Sequence, residues 1–155
     1  MDFAQTSYGR PVPALPTFLE DAEGPGAGPG AYPLQLLTTK AQHRCHSSFS
    51  GNPLLEELFV QDAWIHPADA RSRGVRDGEE IEVFNARGRT RLRARVTERI
   101  KPGVLMIHEG AWYRPDAEGV DRGGNPNVLT TDEASPAGAY AYNSARVEVR
   151  SPGTA

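Results

Sequence analysis

Between Thr38 and Ser48 the chain reads TTKAQHRCHSS, which gathers Thr38, Thr39, Lys40, His43, Arg44, Cys45, His46, Ser47 and Ser48 in one short stretch. Ammonium, guanidinium, imidazole and hydroxyl groups all donate hydrogen bonds. No carboxylate interrupts them. That is the donor set a phosphate or a polar heterocycle requires. His43, Cys45 and His46 also carry metal-ligating atoms, but structural zinc uses a second, separated pair of ligands, and none follows here. A solvated polar loop of the same composition stays open as the alternative.

Two further stretches have the residue types for ligand contact. GVDRGGNPNVLT combines three glycines with Asn125 and Asn127. Glycine lets the backbone approach a ligand, and an Asn amide offers a donor and an acceptor to a heterocycle edge. Surface turns use the same residues, and no GK[ST] follows, so this is not a nucleoside-triphosphate loop. EGAWYRPD places Gly110, Trp112 and Tyr113 just after His108 and Glu109. Those aromatics fit either the packing of a strand end or a stacking platform for a planar ligand. The arginines alternating from Arg87 to Arg95 have the spacing to track a nucleic acid. The net charge of −3 and the absence of interleaved aromatics favour a solvated or subunit-facing strand, and no nucleic-acid partner. No G-x-S-x-G elbow or H-E-x-x-H pair occurs, so the chain reads as a binding module without a catalytic residue or metal ligand of its own.

These residues need a scaffold, and the pattern around them is β. YPLQLLTT, DAWIHP, EEIEVFN and VLMIHEG read as short strands, and SARVEVR as a closing one. Thr90, Leu92, Ala94 and Val96 alternate with Arg89, Arg91, Arg93 and Arg95, a half-buried strand with a charged outer face. Asn52-Pro53 before LLEELF opens one short helix, DARSRG forms a helical turn ended by glycine, and GVDRGGNPNVLT is a loop running into a short strand. Six or seven short strands with little helix predict a closed β-barrel. The 155 residues suit one domain, and 16 Gly with 13 Pro favour turns over a helical bundle. Mean hydropathy is −0.53 and no apolar run approaches a bilayer span, so no direct membrane contact is expected. One cysteine excludes an intrachain disulfide framework. Residues 1–30, rich in Gly and Pro, read as a flexible arm or linker from a preceding domain, with a floppy terminus carrying incidental aromatics as the open alternative, and 31–155 as the barrel. MDFAQTSYGR has neither a basic nor an apolar leader region, so an export signal is not expected there.

Taken together, PLQLLTTKAQHRCHSSFSGNPLLEEL, WIHPADARSRGVRDGEEIEVFNARGRTRLRARVTERIKPGVLMIHEGAWY and VDRGGNPNVLT resemble the C-terminal molybdopterin-dinucleotide-binding domain of the dimethyl sulfoxide reductase family. The middle stretch is shared by double-psi barrels generally, whereas HRCHSS and DRGGNPNVLT are particular to this family. The resemblance implies a mainly β fold, a six-stranded double-psi β-barrel with short helices. It implies that the domain clamps molybdopterin guanine dinucleotide, two of which hold molybdenum in the parent oxidoreductase, and that the isolated chain is inactive. Thr38, Lys40, His43, Arg44, His46 and Ser47 would line one pterin or its phosphates. Gly110, Trp112 and Tyr113 match a segment near the cofactor, Asn125 and Asn127 the segment near the other dinucleotide, and Tyr142 and Asn143 a late polar contact. The implied partners are the remaining domains of the parent catalytic subunit and an iron–sulfur electron-transfer subunit, in a parent that is periplasmic after folded export or else cytoplasmic. The competing reading is a free-standing double-psi barrel that serves as an interaction module. A barrel decarboxylase that cleaves itself at a Gly-Ser bond does not fit, because the chain has no Gly-Ser dipeptide.

Overall fold

A computed structural model of the chain describes residues 12–18, 23, 30, 32–132, 134 and 139–152. Six strands close into a barrel: β1 (Leu34–Thr39), β2 (Asp62–Ile65), β3 (Glu80–Phe84), β4 (Arg89–Val96), β5 (Val104–His108) and β6 (Arg146–Arg150). Their order around the barrel is β1-β5-β2-β4-β3-β6. Two pairs are parallel, β1 with β5 through Leu36↔Leu105 and β2 with β4 through Ala63↔Ala94. β5 therefore lies between β1 and β2, and β4 between β2 and β3, the interlocked arrangement of a double-psi barrel. The residues of period two point inward and make one core. Leu34, Leu36, Ile65, Ile81, Val83, Leu105, Ile107 and Val147 are fully buried in it.

The short helices start where the sequence supplies caps. Asn52 accepts the N–H of Leu54 at 3.1 Å ahead of α1 (Pro53–Leu58), and His66 Nδ1 accepts that of Ala68 at 3.1 Å ahead of α2 (Pro67–Ser72). In both, proline occupies the first turn, where its missing N–H costs nothing. The helical turn expected over DARSRG thus begins earlier, at Pro67, and Gly74 follows it with φ of +66°.

One expected element is corrected. The stretch after GVDRGGNPN is not a strand but a 3₁₀ turn, Pro126–Val128. Asn125 Oδ1 accepts the N–H of Asn127 at 2.9 Å, and Pro126 lacks the donor that a strand ladder needs. Leu129, just beyond, is buried in the barrel core.

The arginine row is engaged by the protein itself. Arg91 donates to Glu82 at 2.9 Å, and Arg95 and Arg99 lie over the Trp64 ring at 4.6 and 5.1 Å. Most of the arm expected over 1–30 lies outside the described residues. Within it, Glu23 accepts from Arg87 and from the backbone N–H of Arg146.

Candidate functional site

The barrel's topology gathers the candidate residues at one end. β1 and β5 run parallel, with Thr39 beside His108, so their C-terminal loops emerge together. β2 is antiparallel to β5 and starts at that end, which places Gln61 beside both loops. β4 is parallel to β2, so its beginning, and the glycine-rich loop bridged to it at Thr90, lie there as well. β6 is antiparallel to β1, so the residues leading into it reach the same corner.

Four small constellations result. In the first, Asn143 Oδ1 accepts the N–H of Thr38 at 2.7 Å and its hydroxyl at 3.2 Å. In the second, Lys40 Nζ lies 3.0 Å from His46 Nδ1 and 2.6 Å from Glu109 Oε1. The donor-rich segment therefore does meet a carboxylate, supplied by the end of β5, and part of the Lys40 charge is cancelled. His46 and Phe49 take φ of +51° and +70°, unusual for residues with side chains. In the third, Trp112 Nε1 donates to Ser47 O at 3.0 Å and its backbone N–H to Ser50 Oγ at 3.1 Å. A Cβ at Gly110 would stand 1.8 Å from His46 O, so only glycine permits this packing of loop on loop.

The fourth constellation joins the two loops that sequence alone leaves separate. Arg44 Nη2 donates to Gln61 Oε1 at 2.5 Å and to Glu109 O at 3.2 Å, while Gln61 Nε2 donates to His108 O at 2.7 Å and Gly124 O at 2.9 Å. Arg44 Nε is buried and without a hydrogen-bond partner. The glycine-rich loop is organised by Asp121, which is fully buried. Its carboxylate accepts the Thr90 hydroxyl at 2.8 Å and the N–H groups of Arg114, Gly123 and Asn125 at 2.8, 3.0 and 2.7 Å. Gln61 and Asp121 were not legible as site residues. The available signal for Asp121 is its place directly before Arg-Gly-Gly, where a carboxylate can collect the N–H groups of a turn.

A cavity of about 240 Å³ opens between these groups, with His43, Arg44, Gln61, Trp112, Arg114 and Arg122 in its wall. His43 stacks on Phe59 with ring centroids 4.2 Å apart and planes 1° off parallel. Burial, and after it the charges of Arg44 and His108, hold the His43 imidazole below its usual range. Arg114 and Arg122 are paired with Glu56 and Glu80 at 2.7 and 3.0 Å. Of the thirteen residues expected to touch a ligand, His43, Arg44 and Trp112 border the cavity, while Tyr142 lies outside its wall, exposed and stacked on Tyr140. Thr38, Lys40, His46, Ser47, Gly110 and Asn143 build or flank its loops, and Asn125 caps the 3₁₀ turn. Tyr113 and Asn127 are exposed outside the cavity wall. Among the described residues no three His, Cys, Asp or Glu side chains converge as a metal would need.

The family model for the molydopterin dinucleotide binding domain matches residues 34–146, which hold strands β1 to β5, the start of β6 and all four constellations. The chain belongs to this family. It is 46% identical over 105 residues to the dimethyl sulfoxide reductase DmsA of Escherichia coli K12, covering 68% of this chain and 13% of that protein. It is 41% identical over 127 residues to the trimethylamine-N-oxide reductase 1 of the same organism, covering 76% of this chain and 15% of that protein. The chain thus spans about an eighth of the length of the curated relatives it matches. Acetylene hydratase from Pelobacter acetylenicus shares the fold with a TM-score of 0.74 at 22% identity, over 88% of this chain and 21% of that one.

The residues present suit a molybdopterin dinucleotide. The Arg44 guanidinium, whose buried Nε has no hydrogen-bond partner, lies in the cavity wall, and stacked or flat rings at His43, Phe59 and Trp112 border the same space. Pockets that enclose a whole drug-sized ligand run to roughly 300–1,000 Å³. At about 240 Å³ this cavity is smaller than that, a volume for one phosphate or one ring.

Proposed function

We propose that this chain binds and orients molybdopterin guanine dinucleotide, one of a pair holding molybdenum, as the C-terminal domain of a larger reductase of the dimethyl sulfoxide and trimethylamine-N-oxide class. The observation that carries the reading is the cavity at the loop end of the barrel, whose wall holds the Arg44 guanidinium beside His43, Gln61 and Trp112. His43, Arg44 and Trp112 would contact the cofactor at the cavity wall. Thr38, Lys40, His46 and Ser47 on one rim, and Asn125 and Asn127 on the glycine-rich loop, would supply further donors. Gly110, Tyr113 and Asn143 complete the set, with Gly110 and Asn143 acting chiefly through the loop shapes they fix. When bound, the cofactor's molybdenum supplies the redox chemistry. The chain's own residues neutralise phosphate, orient the heterocycle and exclude water on one side.

The partners proposed are the other domains of the parent catalytic subunit, with an iron–sulfur subunit delivering electrons. Two observations support the first. The relatives are some eight times longer than the matched region. α1 buries none of its residues and presents Leu54 and Leu58, each 72% exposed, beside Phe59 and Val60 at the cavity rim. Isolated soluble domains rarely leave a contiguous apolar face of this kind uncovered.

Titration of the chain with guanosine diphosphate, followed by amide NMR, tests the reading. The expected shifts fall on His43, Arg44, Trp112 and Gly123. Shifts confined to Arg91, Arg93 and Arg95 along β4 would overturn it in favour of a simple interaction module.

A further inference from the structure

We infer that Gln61 is a positioning residue that fixes the Arg44 guanidinium on the cavity wall while leaving its positive charge available to an anionic group of the cofactor. The inference rests on the proposed cofactor-binding reading and deepens it, because it names what sets the charge of that wall.

The orientation of the Gln61 amide is dictated by its surroundings. Two carbonyl oxygens, of His108 and Gly124, lie 2.7 and 2.9 Å from Nε2, and carbonyls need donors. The NH₂ must face them, which leaves Oε1 as the acceptor for Arg44 at 2.5 Å. The other acceptor for Arg44, the Glu109 carbonyl, is also neutral. Other cations at this end of the barrel are treated differently. Lys40, Arg114 and Arg122 each sit within 3.0 Å of a carboxylate. The carboxylate whose field reaches Arg44 is that of Glu56, already engaged by Arg114. Arg44 therefore combines full charge, partial burial, a fixed plane and an unpartnered Nε. In a site screened from water, such a cation interacts with phosphate far more strongly than an exposed one. A glutamate in place of Gln61 has nearly the same size and would accept from Arg44 equally well, but it would cancel the charge.

The test compares variants of the full chain by calorimetric titration with inorganic pyrophosphate, guanosine diphosphate and uncharged guanosine. Gln61→Glu is expected to weaken both phosphate ligands by about tenfold or more, to flatten their dependence on salt, and to leave guanosine within about twofold. Gln61→Met removes the loop tie without adding charge, and is expected to weaken pyrophosphate by only about threefold while lowering the melting temperature. Equal losses in the two variants, or a parallel loss of guanosine, would reduce Gln61 to a loop tie and overturn the inference. If Gln61→Glu does not fold, Arg44→Lys and Arg44→Gln decide. Retention of pyrophosphate binding and its salt dependence in the lysine variant alone supports a role for charge, and equal loss in both overturns it. Failure of the unaltered chain to bind pyrophosphate or guanosine diphosphate at millimolar concentration would overturn the cofactor-binding reading itself, and this inference with it. Binding by the unaltered chain that is lost in Arg44→Gln but unchanged in Gln61→Glu would overturn the inference alone.

Discussion

The side-chain oxygen of Asn143 accepts the backbone N–H of Thr38 at 2.7 Å, beyond the β1–β6 pairs Leu34↔Val147 and Gln35↔Arg146. A side chain here finishes a seam that the backbone ladder leaves open. Gln35 Nε2 returns a bond to Asn143 O at 2.8 Å, so the two segments are stitched twice. The same Asn143 oxygen also takes the Thr38 hydroxyl, which leaves its amide nitrogen as the group free to face a ligand. Asn143 is thus first a builder of the Thr38 corner.

Asn143→Ala is accordingly expected to cost about 1 kcal/mol in urea denaturation, the net worth of one such bond near the surface. Asn143→Asp keeps the acceptor and is expected to recover most of that loss. Hydrogen exchange supplies the local readout, with faster exchange at Thr38 in the alanine variant and little change at Leu105.

Asp121 predicts a larger effect. Its carboxylate is fully buried and holds the Thr90 hydroxyl and three backbone N–H groups at once. Asp121→Ala strands all four donors, and Asp121→Asn turns an NH₂ group toward donors that need an acceptor. Either is expected to destabilise the chain by roughly 3–5 kcal/mol, the scale for breaking a buried charged network. The loss is measured as a shift of the urea midpoint, and a change below about 1 kcal/mol would mean that water replaces the carboxylate.

Glu82 gives the protein its expected acid sensitivity. Only 1% of this residue is exposed, and it receives Arg150 Nη2 at 2.6 Å and Arg91 Nε at 2.9 Å. Burial raises its carboxyl pKa, but the bonds from Arg150 and Arg91 outweigh that, and the net shift is below the ordinary 4.5. A carboxyl depressed on folding contributes stability that is complete above its unfolded pKa and is lost as pH falls through the lower folded value. Stability is therefore expected to hold at neutral pH and to decline below about pH 4.5. Glu82→Gln is expected to be less stable at pH 7 and to show a flatter acid limb, as read from urea midpoints across pH.

The barrel was legible because its signals are local. Thr90, Leu92, Ala94 and Val96 alternate with arginines, so β4 and its inward face follow from period two alone. The donor cluster from Thr38 to Ser48 was legible for the same reason, as one contiguous run. The partners that give it shape are distant in sequence. Gln61 reaches Gly124, and Asp121 reaches Thr90, through the fold, and Glu109 meets Lys40 only because β1 and β5 are parallel. The strand expected after Asn127 failed through a local competition. Val128, Leu129 and Thr130 have strand-forming side chains, but the Asn125 cap and the missing N–H of Pro126 favour a 3₁₀ turn.

Two glycines on either side of β5 separate backbone strain from close approach. Gly103 and Gly110 have φ of +80° and +87°, so an alanine at either position bears a similar conformational penalty of about 1 kcal/mol. Their surroundings differ completely. A Cβ at Gly103 meets nothing within 4 Å, whereas one at Gly110 would stand 1.8 Å from His46 O and 2.6 Å from its carbonyl carbon. Those are backbone atoms of the opposing loop, and they cannot rotate away as a side chain would. Gly103→Ala is therefore expected to lower stability by about 1 kcal/mol and to leave nucleotide-induced shifts at Arg44 and Trp112 unchanged. Gly110→Ala is expected to cost roughly 3 kcal/mol or more and to displace those shifts, because the Cys45–Ser48 turn must move off the end of β5. Equal losses in the two variants would show that the turn yields readily, and that the approach of Gly110 to His46 does not hold the donor loop in place.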